Sequence, residues 1–188
     1  PQPQPQSQLY VFSARDEDRL RAVLSRFLDA ASPAPADTAP FGGADPAAVA
    51  YTLQTGREAM DQRLAVIADD LGELAALLTG HLQGASSPQV FTGNSRAAKQ
   101  SQSRSLIDLI ADSDLTARLL RDRELARAAE LWVEGIDLDW PQLHADRPER
   151  VPLPGYPFAE ERCWVAGMME IQPRTSGTGY LHPLLHRN

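Results

Sequence analysis

The stretch LYVFSARDEDRLRAVLSRFLDAA, residues 9–31, changes its hydrophobic period once, and that change sets the fold. Its first part, LYVFSA (Leu9 to Ala14), is a short apolar run of strand formers and predicts a β-strand. Beyond it the chain turns charged, and Leu20, Val23, Leu24, Phe27 and Leu28 recur at the spacing of one helix face. Ser13 or Asp16 can supply the oxygen that caps such a helix, so a helix is predicted over residues 17–31.

Outward from this unit the two periods alternate. Residues 32–43 are rich in Pro, Ala and Gly and predict a loop. Asp45-Pro46 pairs an N-cap with a proline at the first helical position. The helix it opens carries Val49, Tyr51 and Leu53 and stops near Gly56. RLAVIADD (Arg63 to Asp70), apolar in its middle and acidic at its end, predicts a second strand. Leu71 to His81 is strongly helical and ends around Gly80 or Gly84, and PQVFTG (Pro88 to Gly93) predicts a third strand. Residues 9–93 thus read β-α-α-β-α-β, an α/β fold with a small three-stranded sheet packed against helices.

Residues 94–122 predict a helical insertion. Asn94 to Ser105 is polar and rich in Ser and Gln. Then Leu106, Ile107, Leu109 and Ile110 make one apolar cluster, and Leu115, Leu119 and Leu120 a second. Leu125, Ala129, Leu131, Trp132 and Ile136 make a third, again at helical spacing. Two short helices are expected, then a longer one from Arg123 to Glu134 that Gly135 stops, so that residues 123–140 close the subdomain. IDLDWPQL turns into an extended, Pro-rich C-terminal arm over residues 141–166. In its run VPLPGYPFAEERCWV (Val151 to Val165) the prolines fix φ and remove donors, which excludes an interior strand or a helix core. Yet the run keeps Tyr156, Phe158 and Trp164, which a solvated linker has no reason to hold. Such a segment is expected to lie against a folded surface.

Composition narrows the function classes. The 188 residues are 43% hydrophobic but only 6% aromatic, and Ala and Leu carry much of the apolar content, which favours helices over an all-β fold. The net charge is −7 with acid and base interleaved, so no basic stripe points to nucleic acid. A single cysteine, Cys163, excludes an internal disulfide framework and a cysteine zinc site. No signal peptide is evident, and no apolar run approaches the roughly 20 residues of a membrane span, so a cytoplasmic, reducing setting is expected. PQPQPQSQ at residues 1–8 reads as a polyproline-like linker without an initiator Met, and LHPLLHRN ends the chain on an apolar run. A piece excised from a longer polypeptide is the expectation.

Chemistry-bearing residues do not converge. His182 and His186 have the spacing of a helical metal pair, but Pro183 lies between them and no third ligand is near. Asp69-Asp70 and Asp137/Asp139 have no neighbouring nucleophile or base, and helix capping or a solvated face accounts for them. Gly42-Gly43 is too short for a phosphate loop. An arginine beside Cys163 could lower its thiol pKa, but no histidine is placed as a base, so the cysteine reads as a packing residue. No catalysis, cofactor or metal is expected.

Three stretches, in this order, resemble the segment that follows a ketosynthase in modular polyketide synthases. They are LYVFSARDEDRL with DPAAVAYTLQTGREAMDQRLAVIADD, then ELARAAELWVEGIDLDWPQLH, then RVPLPGYPFAEERCWV. The last is similar to the family's LPTYPF arm, with Gly155 where the family commonly has Thr and Cys163 where it commonly has Tyr. The resemblance covers about residues 9–165. No acyltransferase domain separates the stretches, since VFTGNSRAAKQ runs on toward ELWVEG. This resembles the trans-acyltransferase type, in which a free-standing acyltransferase loads the carrier proteins.

The resemblance implies a ketosynthase-flanking subdomain, also termed a ketosynthase–dehydratase linker or acyltransferase docking domain. It implies an arm that crosses back over subdomain and ketosynthase, with Tyr156, Phe158, Arg162 and Trp164 as its docking residues. The insertion resembles the element by which such ketosynthases meet laterally, which implies contacts through Leu106, Leu109, Ile110, Leu115 and Leu119 and lateral self-association. Alternatively, these leucines complete the subdomain's own core. Residues 167–188 resemble a linker and the start of a dehydratase domain, whose catalytic histidine lies further downstream and is neither His182 nor His186. The implied function is a non-catalytic structural linker and docking module, with ketosynthase and dehydratase as partners in cis. The alternatives are a dedicated docking site for the free-standing acyltransferase in trans and a truncated dehydratase fragment.

Overall fold

Strand β1 (Gln8–Ala14) forms where the LYVFSA run predicts it, in a computed structural model that describes residues 6–31, 43–100, 115–144 and 146–157. β2 (Gln62–Ala68) and β3 (Val90–Asn94) complete one antiparallel sheet in the order β1-β2-β3. Directly opposed residues share a face. Tyr10↔Val66 and Phe12↔Leu64 therefore lie on one side, and Val11↔Ala65 and Ser13↔Arg63 on the other.

Each face is covered by helices. On the first, Phe12 meets Phe27 of α1 (Glu17–Ala31) edge to face, with ring centroids 5.0 Å apart. α1 buries Leu20, Val23, Leu24 and Phe27, each worth about 1.5–3 kcal/mol of apolar burial. α3 (Leu71–Leu82) packs beside α1 and buries Leu74 and Leu78. α2 (Pro46–Thr55) runs along β1, and its buried Gln54 amide donates to the Leu9 carbonyl at 2.7 Å, a partner an edge strand otherwise lacks. α4 (Ser95–Gln100) follows β3 at the start of the stretch read as a helical insertion, in its polar part; Asn94 caps it by accepting from the Ala97 N–H at 2.9 Å. α5 (Leu115–Arg121) leads to α6 (Leu125–Val133), which covers the second face, and a 3₁₀ turn over Trp140–Leu143 is the last regular element among the described residues.

Most boundaries follow the predicted caps. Asp45 accepts from the Ala47 N–H with Pro46 opening α2, and Asp70 accepts from the Glu73 N–H at the start of α3. Of the two candidate caps for α1, Asp16 is the one used, accepting from the Arg19 N–H at 2.9 Å. Ser13 instead accepts from the Met60 N–H at 3.0 Å.

The predicted helix from Arg123 to Glu134 is corrected: α6 begins at Leu125. Arg123 has φ 56, in the left-handed region, and the Glu124 N–H bonds back to the Leu119 carbonyl at 2.9 Å. That arrangement ends α5 and re-aims the chain. A non-glycine residue holds this conformation at a cost, which the Arg123 guanidinium offsets by donating to the Ser7 carbonyl at 2.7 Å and the Leu143 carbonyl at 3.4 Å. Gly135, with φ 104, is the stop the sequence predicted. Close approach governs Gly93, where an added Cβ would lie 2.3 Å from the Val133 carbonyl oxygen of α6.

His144 locks the 3₁₀ turn to the first half of the chain. Its Nε2 lies 2.6 Å from Gln54 Oε1, and its ring meets Tyr51 edge to face at 5.1 Å. Because the Gln54 nitrogen donates to Leu9, its oxygen accepts, and His144 Nε2 carries the proton. Burial, and secondarily the nearby Arg123 charge, hold the His144 pKa below its ordinary value. Burial and Arg21 act on His81 in the same direction, against Glu17. The unfolded chain therefore takes up these protons first as pH falls. Stability is full above the unfolded histidine pKa of about 6.5 and declines as pH drops from there toward the lower folded values. Chemical denaturation at pH 7.5, 6.5 and 5.5 should show this fall. His144→Gln should make it shallower and leave the His81 share; an unchanged slope would show that His144 does not contribute.

Candidate functional site: the seat of the proline-rich segment

The prolines at 152, 154 and 157 leave this segment short of N–H donors, so its backbone offers mainly carbonyls. α2 and the turn after it supply the complementary groups. Thr52, buried, donates its hydroxyl to the Ala48 carbonyl at 2.7 Å within α2 and accepts from the Val151 N–H at 2.9 Å. Arg150 reaches the end of the same helix, donating through Nε to Thr55 Oγ1 at 3.2 Å and through a terminal nitrogen to the Thr55 carbonyl at 3.0 Å. Arg57 donates to the Pro154 carbonyl, and burial lowers its pKa without a partner charge.

Tyr156 completes the seat. Its hydroxyl accepts from the Arg15 N–H at 3.3 Å, just past the end of β1. Val151, Leu153 and Tyr156 pack, partly buried, against the hydrophobic core. Each polar contact contributes about 1 kcal/mol net, and the prolines lower the entropy lost on docking.

Of the other predicted docking residues, Phe158, Arg162 and Trp164 lie outside the described residues. So do Leu106, Leu109 and Ile110, as well as His182, His186 and Cys163. Leu115 is 44% exposed on α5, Leu119 is half-buried, and Leu120 beside them is fully buried in the core. Thr52, Thr55, Arg57 and Arg150 were not singled out from the sequence, although all four stand inside the quoted DPAAVAYTLQTGRE and RVPLPGYPF stretches. Nothing local marks a threonine whose partner is 99 residues away.

The carboxylate pairs are accounted for locally. Asp70 caps α3, Asp69 receives the Ser7 hydroxyl while its N–H donates to Glu73, Asp137 lies 3.7 Å from Arg63, and Asp139 accepts from Gln142. Among the described residues no group of three His, Cys, Asp or Glu could hold a metal ion, and no helix is long and apolar enough to cross a membrane. The geometry is that of a surface that grips an extended segment.

Comparison with known proteins places this geometry. The family described as "RhiE-like, KS-MAT linker domain" matches residues 11–85, from β1 to just past α3. Polyketide synthase ThaG of Burkholderia thailandensis is 36% identical over 185 residues, which is 95% of this chain and 3% of that protein. Polyketide synthase PksM of Bacillus subtilis is 35% identical over 179 residues, 94% of this chain and 4% of its own length. The chain therefore spans only a few per cent of these curated relatives. The ketosynthase from module 6 of the bacillaene synthase of Bacillus subtilis superposes with a TM-score of 0.73 at 34% identity, over 87% of this chain and 28% of that one. An oxazolomycin ketosynthase domain from Streptomyces albus gives 0.60 at 37% identity, over 87% of this chain and 23% of that one. Matched in sequence and in coordinates over most of its length, the chain belongs to the ketosynthase-flanking linker family of trans-acyltransferase modular polyketide synthases.

Proposed function

We propose that this chain is a non-catalytic spacer that holds the ketosynthase before it and the dehydratase after it at a fixed separation. The observation that carries this reading is that incoming strand and outgoing arm are gripped by one small body. β1 is held near its start by Gln54, and Tyr156 bonds Arg15 just past its end. Seven residues of strand at about 3.3 Å each set these two points roughly 20 Å apart. A strand buried along its length and an arm bonded to a packed helix cannot vary that distance without breaking the core. Phe158, Arg162 and Trp164 would continue the grip onto the ketosynthase surface as rigid aromatic and guanidinium anchors.

A second reading concerns partners in trans. Leu115 and Leu119 present apolar surface on α5, which favours lateral self-association. Exposed Glu17, Asp18, Asp69 and Asp70, in a chain of net charge −7, favour electrostatic docking of a free-standing acyltransferase.

Spin labels in the ketosynthase and dehydratase of the parent synthase test the spacer. A narrow distance distribution is expected, and Arg57→Ala with Tyr156→Ala should broaden it; equal widths would overturn the reading. Sedimentation of this chain tests the second reading. Leu115→Asp with Leu119→Asp should weaken self-association with unchanged circular dichroism, and unfolding would show instead that these leucines belong to the core. No complex with the cognate acyltransferase at about 100 μM would count against docking by this chain alone.

A further inference from the structure

Two guanidinium groups without a carboxylate partner meet at one concave pocket. Arg121, the last residue of α5, and Arg123, in the left-handed turn that follows, both line a pocket of about 460 Å³ beside the 3₁₀ turn. Among the described residues neither is ion-paired. Arg123 is half-buried and donates to the Ser7 carbonyl at 2.7 Å and the Leu143 carbonyl at 3.4 Å. Those bonds use two of the five N–H donors of a guanidinium and leave its charge uncompensated. Arg121 is exposed, and no acceptor among the described residues meets its guanidinium. Like charges lining a recess focus their field into it and concentrate counter-ions there. The chain as a whole is acidic, with net charge −7, so this pocket reverses the local sign. Asp146 is the one carboxylate among its described wall residues, and it is exposed to water.

The walls select the anion. The Ala47 N–H, at the start of α2, is already taken by Asp45 at 3.2 Å, and the His144 Nε2 proton by Gln54. The donors left for a ligand are therefore those of the two arginines. They are rooted in different backbone conformations, one helical and one left-handed. A carboxylate presents both oxygens in one plane and matches one guanidinium fork, whereas a tetrahedral oxyanion presents acceptors in several directions and bridges two. The pocket is larger than a bare phosphate requires, and Leu143 gives it an apolar wall, which leaves room for the remainder of an ester.

We propose that this pocket binds the phosphate group of a phosphate ester, bridged by Arg121 and Arg123. An anion there also offsets the Arg123 charge that, after burial, lowers the His144 pKa. Occupation therefore moves that pKa back up toward its ordinary value.

The test titrates methyl phosphate into this chain at low ionic strength and follows backbone amide shifts by NMR, with acetate and chloride at equal ionic strength as controls. Shifts centred on Arg121 and Arg123 are expected to saturate with a Kd of about 1–10 mM, and neither control should reproduce them. Arg121→Gln should weaken binding by about fivefold or more while leaving the unfolding midpoint unchanged, because the side chain is exposed. Asp146→Asn should tighten binding, a direction that a damaged fold cannot produce. In saturating sulfate, whose charge is constant near pH 6, the His144 ring should titrate at higher pH than in chloride. Shifts that never saturate, or that chloride reproduces, would mean general screening only and overturn the proposal. Equal affinity for acetate would overturn the assignment to phosphate. Unchanged binding in Arg121→Gln, or an unmoved His144 titration, would place the anion elsewhere and overturn it as well.

Discussion

The Arg63 guanidinium joins the two halves of the fold. It projects from the central strand β2, is 4% exposed, and donates to the Met60 carbonyl at 3.0 Å and the Trp132 carbonyl at 2.8 Å. The Trp132 carbonyl belongs to the last turn of α6, where it also accepts from the Gly135 N–H at 3.0 Å and the helix dipole is negative. The Trp132 ring lies 5.1 Å from the guanidinium carbon, adding a cation–π contact. Hydrogen bonds from a charged donor contribute about 1.5–3 kcal/mol each, so the helix-end contact outweighs the ion pair with Asp137, which is 91% exposed and screened by water.

Everything after β3 depends on that docking. With α6 fixed over the second face, Gly93 must stay small, and Gly135 turns the chain beside Ser95. Trp132 and Trp140 then meet at 6.3 Å, and the 3₁₀ turn delivers His144 to Gln54. Only after these contacts is the chain placed to run along α2 and present Val151, Pro154 and Tyr156 to Thr52, Arg57 and Arg15. The arm's seat thus rests on contacts that trace back to β2.

How much of this the sequence disclosed follows from the range of the interactions. The three strands, α1 to α3 and the caps at Asp16, Asp45 and Asp70 rest on contacts within a few residues, and the hydrophobic period reports those directly. The start of α6 did not show, because a left-handed arginine is stabilised by carbonyls 116 and 20 residues away. His144 carried no sequence signal of its burial, since Gln54 is 90 positions distant. For Val151 to Tyr156, the described part of the proline–aromatic run, the folded surface that the sequence called for belongs to this chain.

The central claim is that the arm is part of the folded body and not a tether beside it. Hydrogen exchange at the Val151 amide, followed by NMR in this chain, tests it most directly, because that N–H bonds only if the arm sits on Thr52. Protection of about tenfold or more over the free-peptide rate is predicted, together with its loss in Thr52→Val while β2 amides stay protected. Exchange of Val151 at the free-peptide rate in the unsubstituted chain would contradict the account.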